Sequence, residues 1–348
     1  MRAGIVRLVA LSLMVGVICG AAGATPTPAL RAKDRVRLAE AFALAAALAD
    51  LWPGWDEVPF AVLLVTDEDE FLVRHPSPPA GEFQPLGHDP LLAGDVLHRP
   101  ASGRFSPEIL ATFPAFDSVN TVVVGTPERT GKSSTQWVLT LLHERFHQWQ
   151  FSGEGYFTAV EKLDLSGGDD SGMWQLNYRF AYEDRRIAQA LDRYRAVVAK
   201  AVVNAADGNP VDVAKTVVDA RERLREAMTP ADYRYFDFQL WQEGVARYTE
   251  LLVAREAAHR HTPSEAFRKL ADVVSYAQAL TQLKAQLASE LTRLDLARHR
   301  RLVFYPLGAQ EALLLDVLHP DWRKRYYAHK FSLGTLLPRG MADPRVVQ

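Results

Sequence analysis

Hydrophobic and polar positions alternate in different ways along the chain, and the change of rhythm divides it. An Ala-rich stretch from about Leu30 to Leu51, in which Arg31, Lys33, Asp34, Arg35, Arg37 and Glu40 precede the apolar run Ala41–Ala49, reads as an amphipathic helix, and Pro53-Gly54 stops it. Residues 60–65 and 71–73 then read as two short strands around the acidic turn 67–70. Pro76, Pro78, Pro79, Pro85 and Pro90 mark a long irregular connection, and Asn120–Val124 forms another strand. That strand runs through a loop into a helix from about Ser134 to Phe151. Beyond Asn177 the pattern is almost wholly helical, with helices expected near 179–204, 211–227, 230–258, 263–298 and 306–317. Thr229-Pro230 and Thr262-Pro263-Ser264-Glu265 each place a capping threonine before a proline at the first helical position, the second as a full capping box.

The expectation is an α+β fold, with a small β-containing part (about 58–125) packed on a helical body (about 134–348) and no linker dividing them. Ahead of both, Met1–Ala24 has the three parts of a signal peptide. Arg2 and Arg7 supply positive charge, Leu8 to Ile18 an apolar run, and Ala22-Gly23-Ala24 a small-residue cleavage site. Cleavage there leaves a single domain over 25–348, secreted or periplasmic, and removes Cys19, the chain's one cysteine. Disulfide and thiol chemistry are thereby excluded from the mature chain. The apolar run Ala41–Ala49 is too short to cross a bilayer, so no membrane span is expected after cleavage.

Charge narrows the field further. Lys+Arg 40 against Asp+Glu 42 gives a net charge of -2, with no basic field to attract nucleic acid. One P-loop-like segment, Gly125 to Ser133, sits between strand and helix but has Thr126 where the motif needs glycine. Pro127 and Glu128 also spoil an anion cradle, so the segment is read as the cap of the following helix.

That helix carries His143-Glu144-Arg145-Phe146-His147, the H-E-x-x-H pattern. Residues four apart share a helix face, so both imidazoles can address one metal ion. Glu144, about 100° around the helix, can reach a water beside it. A catalytic zinc takes three protein ligands, so a third must come from another element. Here the chain resembles the gluzincin class of zinc metallopeptidases, whose third ligand is a glutamate on a later helix, in several families within a segment like E-G-x-A-x-Y. Glu243-Gly244-Val245-Ala246-Arg247-Tyr248 matches that segment. The resemblance implies a zincin-like fold, one zinc ion held by His143, His147 and Glu243, Glu144 as general acid/base, and a peptide or protein substrate. Gly244 would let the helix bearing the histidines approach closely. Glu250, seven residues on, is the competing carboxylate, and is expected to hydrogen-bond a histidine's outer N–H instead. Tyr305, at a helix start, is the candidate oxyanion stabiliser.

The chain also departs from known patterns. Glu243 lies 96 positions after His147, a longer gap than in thermolysin-like or aminopeptidase-like families. There is no G-x-M-E-N segment, and Gln148-Trp149-Gln150-Phe151 replaces the metzincin continuation. Gly172 to Tyr178 could form a substrate wall with Trp174 and Tyr178 as apolar surface and Asn177 as polar anchor. A catalytically silent binding protein, or a zinc hydrolase of non-peptide amides or esters, would satisfy the same residues.

Overall fold

The computed structural model describes residues 28–116, 118–204 and 209–337, so the signal-peptide reading of Met1–Ala24 lies outside the described residues. The chain folds as α+β. A six-stranded sheet in the order β3-β4-β2-β1-β6-β5 is built from β1 (Val62–Val65), β2 (Asp69–Val73), β3 (Gln84–Asp89), β4 (Gly94–Pro100), β5 (Leu110–Phe116) and β6 (Val119–Gly125). Only β1 and β6 run parallel; every other pair is antiparallel. Strand β1 is buried throughout, and β2 and β6 beside it over most of their length, because both faces of the sheet are covered. Val62, Leu64, Val122 and Val124 face the helical body, while Leu63, Val65, Val123, Phe83 and Phe116 form a second, smaller core behind it.

Three of these strands were not legible in the hydrophobic pattern. β3 and β4 lie inside the proline-rich stretch read as irregular, and β5 was not anticipated. β3 and β5 are the two edges, and edge strands carry Pro85 and Pro114 without losing a ladder bond they need.

The helix α1 (Ala32–Ala47) lies along the start of α2 (Ser134–Ser152), the helix that follows β6. Ser133 and Gln136 cap α2 reciprocally, so the segment before it does serve as a cap. α2 is buried almost all round, between the sheet on one side and the helical body on the other. Two of its polar residues outside the metal face are anchored to main-chain carbonyls. Gln148 donates to the carbonyls of Ala61 and Asn120, each at 2.9 Å, and Arg145 donates to Trp55 O at 2.8 Å and lies over the Phe60 ring.

The body comprises α3 (Arg185–Asn204), α4 (Pro210–Glu226), α5 (Pro230–Gln239), α6 (Val245–Arg260), α7 (Tyr276–Arg293) and α8 (Phe304–Leu318). Thr229 caps α5 as expected, accepting from Asp232 N. The helix expected over 263–298 is broken. Ser264, not Thr262, caps a single turn at Glu265–Arg268, and Ser275 starts α7 with its own capping box. The interruption frees Asp272 to accept from Ser134 N at 2.8 Å and Ser134 Oγ at 2.7 Å, at the start of α2. Among the described residues no helix is long and apolar enough to cross a membrane.

Candidate metal centre

Between α5 and α6 the helix widens into one π turn, Leu240–Gly244, and Glu243 sits in it. Such a turn inserts a residue without ending the helix and is often found at functional sites. It leaves carbonyls short of intrahelical partners, and the side chain of Gln150 on α2 supplies them. Gln150 Nε2 donates to Gln242 O at 3.1 Å and Trp241 O at 3.3 Å, and lies 2.7 Å from the Tyr326 hydroxyl.

That orientation leaves Gln150 Oε1 facing His147 Nδ1 at 2.7 Å. Gln242 Nε2 also lies 3.1 Å from Nδ1, but the shorter contact is to a carbonyl oxygen, which can only accept, so Nδ1 carries a proton and Nε2 points the other way. It points at a cluster. His143 Nε2 and His147 Nε2 are 3.2 Å apart, and Glu243 Oε2 is 3.5 Å from His147 Nε2 and 3.9 Å from His143 Nε2. One ligand atom from each of the three residues falls within 4.8 Å of the others. Donors about 2.0–2.1 Å from a tetrahedral zinc stand about 3.3 Å from one another, so the donor set and its spacing fit that ion. His143, His147 and Glu243 are therefore brought together as the sequence implied.

The electrostatics agree with a site shaped for positive charge. Burial works to lower the pKa of His147, but the Glu243 carboxylate outweighs it and holds the imidazole up at about 9. Burial likewise opposes ionisation of Glu243, yet His147 and then His143 keep its pKa down at about 2. For His143 burial prevails and its pKa falls, despite the attraction of Glu250. Glu250 Oε2 lies 4.0 Å from His143 Nδ1, on the side of the ring away from Glu243. It thus approaches the outer nitrogen, as expected, but beyond hydrogen-bond length, and its nearest partner is Arg247.

Glu144 projects toward the edge of the sheet, where Thr112 of β5 donates to its Oε2 at 2.8 Å and also reaches its main-chain carbonyl at 2.9 Å. The Glu144 charge acts on both histidines. Tyr305, in the first turn of α8, lies beside the Glu243 carboxylate, and its hydroxyl accepts from Arg301. Burial first, and then Glu243, raise the Tyr305 pKa, so the phenol keeps its proton.

Two expectations need correction. Gly244 does permit a close helix contact, but the partner is α8 rather than α2: a Cβ on Gly244 would stand 2.5 Å from Gly308 Cα. The contact is what holds the Tyr305 helix against the π turn. Nor do the expected residues of the loop 172–178 form the wall; the large apolar side chains it exposes are Met173 and Leu176. Trp174 is buried against Phe238, Tyr178 stacks on Tyr235 at 4.3 Å, and Asn177 is exposed.

Sequence reasoning missed Thr112, Gln150, Gln242, Arg301 and Gly308. A signal existed for Gln150, which follows His147 by three residues and so shares its helix face, and for Arg301, four before Tyr305. None existed for Thr112, whose strand was not recognised. No protein-family model, curated protein or solved structure matches the chain.

Proposed function

We propose that the protein is an exported, zinc-dependent metallopeptidase with a zincin-like fold of the gluzincin type. The observation that carries this is the convergence of two imidazole nitrogens and one carboxylate oxygen, 3.2–3.9 Å apart, with a carboxylate flanking the histidines and a phenol flanking the glutamate. His143, His147 and Glu243 would hold the ion. Bound zinc supplies a Lewis acid that polarises a carbonyl and lowers the pKa of water toward ~7.

The remaining work falls to the chain's own groups. Glu144, steadied by Thr112, takes a proton from the attacking water and delivers it to the departing amine. Tyr305, protonated and presented by Arg301, donates to the negative charge developing on the carbonyl oxygen. Among the described residues β5 is an edge strand, and its residue Thr112 touches Glu144, so the outer edge of the sheet lies next to the chemistry. A free edge recognises an extended peptide through its main chain, which favours a peptide over other amides.

The test is digestion of a mixed peptide library by zinc-loaded, chelated and Glu144→Gln protein. One zinc per chain is expected, with cleavage that chelation removes and zinc restores. Glu144→Gln should keep the zinc and lose about 10²–10⁴ in rate. Stoichiometric zinc with no cleavage would make this a binding protein, and hydrolysis confined to non-peptide esters or amides would move it to another class of hydrolase.

A further inference from the structure

Arg301 has no role in the chemistry described so far beyond its contact with Tyr305, and its surroundings call for one. It is only partly buried, and so are Tyr305 and Glu243, while Val303, Phe304, Pro306 and Leu307 between and around them are buried. Arg301 and Tyr305 are four residues apart and present one face toward the metal centre. The guanidinium's hydrogen-bond partner is the Tyr305 oxygen, which uses one of its five N–H groups. Among the described residues no carboxylate forms an ion pair with it within 4.0 Å; the Glu243 charge reaches it from farther away.

The backbone at this point is also unusual. Arg300 has φ 50 and ψ −131, in the half of the map that L-residues avoid. The turn sends the two consecutive arginines apart, Arg300 over the Tyr182 ring at 5.4 Å and Arg301 to Tyr305. A strained residue of this kind persists where the surrounding structure fixes it, and such residues cluster at ligand clamps.

Charge accounting then states what Arg301 lacks. With a dication on His143, His147 and Glu243, the Glu243 charge is spent on the ion, and Glu144 offsets the remaining unit. Arg301 is left as an uncompensated cation beside the scissile position. A planar guanidinium with free N–H groups matches a carboxylate in geometry and charge. We infer that Arg301 recognises a substrate carboxylate close to the cleaved bond, giving the site a preference for peptides cut near a free C-terminus or near an Asp or Glu side chain. This rests on the metallopeptidase reading above.

The test uses zinc-loaded Glu144→Gln protein, immobilised, and four mixed octapeptide pools: C-terminal acid or amide, each with or without Asp and Glu. Equilibrium retention is measured against the same protein carrying Arg301→Gln, with zinc content and melting temperature checked for both. Retention of at least one carboxylate-bearing pool about tenfold above the amidated, acid-free pool is expected, and Arg301→Gln should erase the difference. Selectivity for the C-terminal acid or for the acidic side chains identifies which source is read. Equal retention of all four pools, at any level including none, would overturn the inference, as would selectivity that survives Arg301→Gln. The two readings fail separately. Zinc-loaded wild-type protein that cuts the amidated, acid-free pool as fast as the others keeps the peptidase and loses the Arg301 role. Arg301-dependent retention without any cleavage keeps the Arg301 role and loses the peptidase.

Discussion

At the scale of single residues, the structure separates two carboxylates that the sequence left in competition. Glu243 and Glu250 both approach His143, Glu243 on the Nε2 side and Glu250 on the Nδ1 side. Only the Nε2 side also offers His147, so only Glu243 can share an ion with both imidazoles. Glu250 instead balances the outer edge of the His143 ring while paired to Arg247. Glu243→Gln should therefore abolish stoichiometric zinc, because a neutral amide replaces the one anionic ligand. Glu250→Gln should stay loaded at saturating metal, with affinity or activity reduced roughly 10–100-fold. Competition with a chromophoric chelator measures both. The reverse order of severity would transfer the ligand role to Glu250.

At the scale of elements, what holds the site is helix contact, and this is where sequence and structure part company. The metal helix was legible because its motif, its preceding strand and its capping Ser133 are local features. So was the Glu243 segment, through its resemblance to the E-G-x-A-x-Y segment, with Glu243-Gly244 as its leading pair. What the pair does was not, because Gly308 lies 64 positions further along and only the fold brings it to Gly244. The π turn was equally hidden: it depends on Gln150 satisfying carbonyls from another helix. Edge strands β3 and β5 escaped because β3 is exposed along almost its whole length and β5 is only partly buried over most of its own, so neither shows the apolar alternation of a half-buried strand, and the break in the helix expected over 263–298 accompanies a long-range contact of Asp272 with Ser134. Gly244→Ala tests the helix contact. Its Cβ would meet Gly308 Cα at 2.5 Å and Gly308 C at 2.9 Å, both backbone atoms that cannot swing aside. The helices must separate, at a cost of about 1–3 kcal/mol. Melting of the chelated protein should fall by several degrees, and zinc affinity should fall with it, because Glu243 and Tyr305 sit on the two helices being forced apart. Unchanged melting and unchanged affinity would show that the contact positions nothing.

At the scale of the whole molecule, the start of the metal helix is where three distant parts of the chain meet. Arg37 of α1, almost wholly buried, donates to Asp34 at 2.9 Å, to Glu128 at 3.0 Å and to Ser134 Oγ at 2.7 Å. Glu128 also accepts from Lys33 at 2.5 Å, and Asp272, from the segment before α7, accepts from Ser134. The clamp ties α1, the β6–α2 loop and the helical body to the end of the helix that carries His143. It depends on carboxylates staying ionised. Burial alone would raise the Glu128 pKa, but hydrogen bonds from Lys33 and Arg37 bring it down to about 2, and Ser134 likewise lowers Asp272 against its own burial. A carboxylate whose folded pKa is depressed favours the folded state wherever the unfolded chain would already be ionised, above about pH 4.5 for Glu. As pH falls through that value the unfolded chain takes up the proton first, and the contribution declines until it is gone near the folded pKa of about 2. Urea midpoints of the chelated protein should therefore drop between about pH 4.5 and 2, and Glu128→Gln should be less stable at pH 7 but lose less over that window. Chelator in both arms removes metal-ligand protonation from the difference between them. Glu128 is partly exposed, so its effect should shrink with added salt, whereas the contacts of buried Arg37 to Asp34 and Ser134 should persist. Parallel curves for the two proteins across the window would mean that Glu128 is a bystander, and that Arg37 holds the metal helix through Asp34 and Ser134 alone.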